Sequence, residues 1–280
     1  MDVITSVTEM QLWSREARKA GRVIACVPTM GFLHDGHLAL MREGKRRGDV
    51  LVVTIFVNPT QFGIGEDFDQ YPRDLEGDKK LTLQVGTDII FAPPVAEMYP
   101  HGYQTFVTVD KVTQALCGLS RPTHFQGVTT VVAKLFNIIQ PHVAVFGEKD
   151  YQQLVVIRRM VKDLNFNIEI IGYPIVREKD GLAMSSRNKY LNEEERKAAL
   201  CLWDSLNRAE RLYHKGERSA PRLIQEMDNR INAEKLAEVD YIRICNAETL
   251  VDSETIDGNA VIALAVRFGK TRLIDNRSLK

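Results

Sequence analysis

The stretch "PTMGFLHDGH", Pro28 to His37, sets two imidazoles three residues apart, with Gly36 ahead of the second, directly after the apolar run "VIACV". A strand that enters a glycine-containing turn and then a helix starting near Asp35 leaves backbone N–H groups at the helix start. These would face the carboxyl ends of the strands, where open α/β sheets take up ligands. His34 and His37 then fall one turn apart on one side, where they can donate hydrogen bonds to a triphosphate and to charge developing at phosphorus. A zinc site would want a third ligand and a hydrogen-bond partner for the other nitrogen of each histidine, and this HxxH has no nearby Cys, third His or HExxH frame. For the motif alone, a turn-capping histidine beside one satisfied in the core explains the residues equally well. The other chemistry-bearing stretches have to decide.

Four of them do. In "VFGEKDYQQL" (145–154) a buried strand ends at Gly147 and delivers Glu148, Lys149 and Asp150 at its carboxyl end. Lys149 can bridge phosphates or polarise a carboxylate, and Gln152 or Gln153 can offer neutral hydrogen bonds to a substrate. "MSSRN" (184–188) follows Met184 with Ser185, Ser186 and Arg187, two hydroxyls and a guanidinium suited to phosphate oxygens on a loop able to close over a nucleotide. "IFVNPTQF" (55–62) presents Asn58 and Gln61, neutral amides that suit a substrate with carboxylate and hydroxyl groups, although an Asx-turn accounts for Asn58 as well. "CGLSRPTHFQGV" (117–128) adds Arg121 and His124 beside the same cleft. Asp74 and Asp78, after "YPR", are carboxylates within reach of a Mg²⁺ role, but the metal ligands stay unassigned.

Composition limits the partners. With Lys+Arg 37 against Asp+Glu 37 there is no net charge to attract nucleic acid, so any anion site is local. The cysteines, Cys26, Cys117, Cys201 and Cys245, are far apart without a CxxC pair, which reads as buried reduced thiols rather than a disulfide framework. No basic start with a long apolar stretch opens the chain, and no run of 18 apolar residues occurs, so a soluble cytoplasmic protein with no membrane partner is expected.

The elements that must position these residues follow from apolar patterning. Short β-branched runs at 22–27, 49–57, 88–93 and 142–147 alternate with helical spacings, the pattern of buried parallel strands with crossover helices. Segments 127–141, ended by Pro141, and 150–165 are predicted helices flanking the last of these strands. An α/β fold follows, a doubly wound parallel sheet. Beyond about residue 176 the chain turns polar, then offers amphipathic helices near 193–215 and 219–235, Ser219 capping the second, and strands grouped at the end. Domains 1–176 and 177–280, the second a smaller α+β unit, are expected.

Taken in order, "PTMGFLHDGH", "FVNPTQF", "YPRD", "CGLSRPTHFQGV", "KLFNII", "FGEKDYQQ" and "MSSRN" resemble the pantoate–β-alanine ligase family of the nucleotidylyltransferase-like superfamily. Two departures stand out: Phe32 replaces a commoner alanine, and Thr123 stands where the family usually has glycine. The resemblance implies a Rossmann-like ATP- and pantoate-binding domain, a C-terminal lid domain and a homodimer. It further implies Mg²⁺-ATP-dependent condensation of pantoate with β-alanine through a pantoyl adenylate, releasing AMP and pyrophosphate. Carried over by motif, ATP contacts fall on Met30, Gly31, Phe32, Leu33, His34, Asp35, Gly36, His37, Gly147, Glu148, Lys149, Asp150, Val176, Met184, Ser185, Ser186 and Arg187. Substrate contacts fall on Gln61 and Gln153, with Asn58 added from the residue reading, and the catalytic set is His37 as proton donor with His34, Lys149, Ser185 and Arg187. Two alternatives remain open at this point: a nucleotidyltransferase of the same superfamily, which would release no AMP, and a non-catalytic ATP-binding module.

Overall fold

The structure is a computed structural model describing residues 1–63 and 65–279. Its first unit comprises Met1–Glu148 with Gln153–Pro174; its second comprises Lys149–Gln152 with Ile175–Lys280. The segment that carries Lys149 thus groups with the C-terminal residues, which chain position alone does not suggest.

In the first unit the chain order is β1 (Asp2–Ile4), α1 (Val7–Lys19), β2 (Ile24–Thr29), α2 (Asp35–Arg47), β3 (Val50–Ile55), α3 (Leu75–Gln84) and β4 (Ile89–Phe91). The short α4 (Val95–Met98) and α5 (Cys117–Ser120) follow, then α6 (His124–Ile139), β5 (Val143–Gly147), α7 (Tyr151–Asp163) and β6 (Glu169–Tyr173). All six strands pair in parallel in the order β1-β4-β3-β2-β5-β6. Alternation along the strands explains the layers: Ile24 and Cys26 of β2 join a core with Met10 of α1, Phe136 of α6 and Ile157 of α7, while Ala25 and Val27 face Leu38 and Met41 of α2. The sheet is therefore covered on both faces. Strand order reverses between β2 and β5, so the crevice beyond their carboxyl ends is the topological switch point of the sheet. The loops that begin at Met30 and Glu148 both leave from it.

The four interior strands lie at the predicted places, and α6 ends at Gln140 in the left-handed region (φ 48°) before Pro141. The edge strands β1 and β6 carry no continuous buried run, being covered less fully.

The second unit contains α8 (Glu193–Ala198), α9 (Leu200–His214), α10 (Ala220–Asn232) and an antiparallel sheet of β7 (Ala237–Asn246), β8 (Ala260–Phe268) and β9 (Thr271–Leu279). The single helix expected over 193–215 is divided at Ala199. Ser219 caps α10 by accepting the Arg222 N–H. Trp203 has the Arg177 guanidinium 4.1 Å and the Arg277 guanidinium 4.8 Å from its ring centre. Arg177 also forms a two-bond pair (2.7 and 2.9 Å) with the fully buried carboxylate of Asp275. All four cysteines are buried thiols, and burial pushes Cys201 and Cys245 up to about 12. Among the described residues, no helix is long and apolar enough to cross a membrane.

Phe136 is 2% exposed and meets Phe146 and Phe166 edge-on at 6.4 and 5.9 Å. Truncation by Phe136→Ala is expected to cost about 3–5 kcal/mol, read as a fall in the denaturant midpoint.

Candidate active site

Where β2 ends, Gly31 (φ 80°) and Phe32 (φ 51°) take successive left-handed conformations. The turn they make is a concave nest of amides, of the kind that binds anions. The anion it holds is internal: Asp78 of α3, 2% exposed, accepts the Phe32 N–H at 2.9 Å and the Leu33 N–H at 2.8 Å. Gly31 donates to Thr29 Oγ1 at 3.2 Å. A Cβ on Gly31 would lie 2.8 Å from Asp78 Oδ2 and 2.9 Å from Ile55 Cγ2, so glycine is required for space as well as for φ. Phe32 carries a left-handed cost on the order of 1–2 kcal/mol, which the Asp78 bonds over-determine. Burial pushes the Asp78 carboxyl above the ordinary aspartate value, against the pull of the Leu33 and Phe32 donors. The amides of Gly31, Phe32 and Leu33 are thus committed within the protein. The first amides of α2, at Asp35 and Gly36, belong instead to the helix start, whose N–H groups have no partner within the helix. Asp78 and Asp74 also turn out to be structural, Asp74 capping α3 through the Gly77 N–H.

His34 is the N-cap of α2 in an extended conformation, and His37 is its third helical residue. Their rings lie 4.0 Å apart, tilted by 39°. The His34 backbone N–H donates to His37 Nδ1 at 3.3 Å. A neutral His37 with Nδ1 accepting carries its proton on Nε2, so the local backbone fixes this ring as a donor through Nε2.

After β3, Asn58 starts a 3₁₀ turn, Pro59–Gln61. Asn58 is 1% exposed, and its side chain is fully engaged: Nδ2 donates to Gln61 Oε1 and to Gly127 O, both at 3.1 Å, and Oδ1 accepts from Tyr99 OH at 2.9 Å and Thr60 Oγ1 at 3.0 Å. Gln61 thus accepts from Asn58 through its oxygen and donates through Nε2 to Met30 Sδ at 2.9 Å. The histidine loop and the amide turn therefore meet at Met30 and Gln61. Asn58, expected to contact substrate, here acts on Gln61. Thr123 sits at φ −95°, ψ −10°, an ordinary right-handed conformation that does not call for glycine.

At the end of β5, Gly147 pairs with Tyr173, and Glu148 Oε1 and Arg158 Nη2 flank Gly172, 3.2 and 3.0 Å from where a Cβ would stand. Gln152 is buried and Gln153 half-buried.

Within the second unit, the Lys149 carbonyl accepts from Asn276 Nδ2 at 2.9 Å, and Lys149 Nζ lies 3.6 Å from Asp150 Oδ1. The "MSSRN" stretch is anchored by its last residue: Asn188 Nδ2 donates to Glu178 Oε1 (2.7 Å) and Ala183 O (3.1 Å). Met184 N–H donates to Val176 O at 3.0 Å, and Ser185 Oγ accepts the Arg187 N–H at 3.2 Å. Sequence reasoning missed Tyr99, Asn188 and Asn276, and considered Asp78 only as a carboxylate near Mg²⁺. Each supports a neighbour through backbone or amide groups, a role with no signature in residue spacing.

Among the described residues, no three His, Cys, Asp or Glu side chains converge to hold a metal ion. The start of α2 and its two imidazoles stand at the switch point of the sheet, a donor set whose chemistry suits anionic oxygens. A model of the family described as "Pantoate-beta-alanine ligase" matches residues 2–278, and the chain belongs to that family. It is 58% identical over 276 residues to the pantothenate synthetase of Syntrophotalea carbinolica, covering 99% of this chain and 98% of that one. The pantothenate synthetase of Thermus thermophilus superimposes with a TM-score of 0.94 at 44% identity, covering 99% of each chain. The Francisella tularensis pantoate–β-alanine ligase, solved complexed with beta-gamma ATP and β-alanine, superimposes with a TM-score of 0.84 at 34% identity, covering 99% of this chain and 97% of that one.

Asp78→Asn leaves one of the two amides without an acceptor and is expected to cost about 1–3 kcal/mol, seen as a lowered melting midpoint. Burial raises the Glu66 carboxyl, but hydrogen bonds and charge from Arg121 bring it below its ordinary value. Its contribution to stability is therefore present above the ordinary glutamate value and lost as pH falls through the depressed one. Glu66→Gln should flatten the acid limb of the stability–pH curve in that window.

Proposed function

We propose that the chain activates the carboxylate of pantoate as an acyl adenylate and then transfers the pantoyl group to β-alanine. Membership of the family makes it an ATP-dependent ligase joining these two substrates. What most supports the two-step route is the meeting of Met30 with Gln61 at 2.9 Å. It sets a donor amide for a hydroxy acid beside the imidazoles of the phosphate-facing loop.

A carboxylate resists amines because its leaving group would be an oxide. A pantoate carboxylate oxygen attacks the α-phosphorus, the bond from that phosphorus to the bridging oxygen breaks, and pyrophosphate departs with the electron pair. The β-alanine nitrogen then adds to the acyl carbon, AMP leaves and the nitrogen loses a proton. Charge accumulates on phosphate oxygens in the first step, and preplaced donors lower that barrier. In this proposal His37 donates through Nε2–H, His34 supports it, and Lys149, Ser185, Ser186 and Arg187 are further phosphate donors. The remaining nucleotide contacts run along Met30 to His37, Gly147 to Asp150, Val176 and Met184. Gln61, oriented by Asn58, and Gln153 bind pantoate. Closure of the 184–188 loop over the nucleotide would keep water from the labile acyl phosphate. Mg²⁺ would enter with ATP and neutralise phosphate charge, since among the described residues no cluster of His, Cys, Asp or Glu is built to hold a metal by itself. A homodimer in the cytoplasm completes the proposal, the latter supported by the buried thiols.

With ATP, Mg²⁺ and pantoate, AMP should appear in proportion to added β-alanine alongside pantothenate; pyrophosphate without AMP would mark a nucleotidyltransferase, and no ATP turnover a binding module. His37→Ala and Lys149→Ala should fold normally yet slow single-turnover adenylation by about 10²- to 10³-fold. Near-normal adenylation by either variant removes that residue from the assigned role.

A further inference from the structure

Gln61 is held at its backbone as firmly as at its amide, and the groups that hold it are not part of the donor set above. Its carbonyl accepts from His124 Nδ1 at 2.8 Å and from Arg121 Nη2 at 3.2 Å. Because a carbonyl oxygen only accepts, His124 must carry a proton on Nδ1. Arg121 is itself aimed by Glu66, through Nε to Oε1 at 2.6 Å and Nη2 to Oε2 at 2.5 Å, with both side chains mostly buried. From the other side α6 presses against the same turn: a Cβ on Gly127 would lie 2.3 Å from Thr60 O and 2.6 Å from Gln61 Cα. The turn is three residues long and its one backbone–backbone bond is Phe62 N–H to Pro59 O at 3.3 Å, so the side chains around it carry much of its positioning.

We infer that His124 and Arg121 are positioning residues for pantoate recognition, acting only through the Gln61 carbonyl, with Glu66 holding Arg121 in place. This rests on the reading that Gln61 contacts pantoate. Two charged or polar side chains spent on one carbonyl fix the peptide from which the Gln61 side chain projects, so the donor NH₂ meets the hydroxy acid already aimed. Preorganisation of this kind lowers the ordering cost of binding and affects affinity more than the chemical step.

The test compares His124→Leu, Arg121→Leu and His124→Asn by steady-state kinetics, each alone and combined with Gln61→Ala. Asparagine places an Nδ2–H where the imidazole Nδ1–H stands. His124→Leu and Arg121→Leu should each raise the pantoate KM about tenfold, the worth of one hydrogen bond, with kcat and the ATP KM within about twofold. His124→Asn should recover the wild-type KM within about twofold, and neither leucine variant should raise the KM further once Gln61 is alanine. A His124→Asn variant as impaired as His124→Leu overturns the inference, as does a rise in the β-alanine KM instead of the pantoate KM, or additive losses in the Gln61→Ala background. An unchanged pantoate KM in Gln61→Ala itself overturns the reading of Gln61 and this inference together. A raised KM there with none in His124→Leu overturns the tether alone.

Discussion

The site depends on one buried carboxylate. Asp78 reaches from α3 into the turn after β2 and takes the two amides that the left-handed residues Gly31 and Phe32 turn toward it. Without that acceptor, two buried N–H groups would lack partners and Phe32 would have no compensation for its backbone. The turn decides where α2 begins, and the start of α2 decides where both imidazoles stand. In many phosphate-binding turns the nest of amides is reserved for the ligand. Here it is filled from inside the protein, which leaves the helix start and side chains as the donors the proposed reaction would use. Side-chain donors can be drawn from several elements, which suits a reaction in which charge moves from one phosphate to another.

The other half of the first unit's site achieves orientation without charge. Asn58 is saturated by neutral partners, and it leaves Gln61 only one way to present its amide. A neutral donor costs less to desolvate than a cation. The polar groups that would otherwise be liabilities in a half-buried turn thereby make one geometry the cheapest.

Much of this architecture was legible in the sequence because it follows from burial. The interior strands β2, β3, β4 and β5 are covered on two faces and so read as unbroken apolar runs. The edge strands β1 and β6 lack that coverage, and their residues gave no signal. The histidine pair, Gln61 and the 184–188 loop were visible as residue types that chemistry needs. The supports were not. Asp78 lies 45 residues from the Leu33 amide it accepts, and Tyr99 lies 41 from Asn58; nothing in the local pattern of an ordinary helix or a surface tyrosine announces such a partner. Likewise the division of the helix at Ala199 leaves no mark in an amphipathic stretch that runs through it.

Trp203 sits beside two guanidiniums in the second unit, and the chain's other tryptophan, Trp13, is half-buried against the core of the first, with Arg22 5.7 Å from its ring centre. Each unit thus carries its own intrinsic fluorophore, in a distinct electrostatic setting that shifts its emission. Replacing either indole leaves a chain whose light reports on one unit only. Order of melting, and any melting of one unit ahead of the other, can then be followed optically without an added label.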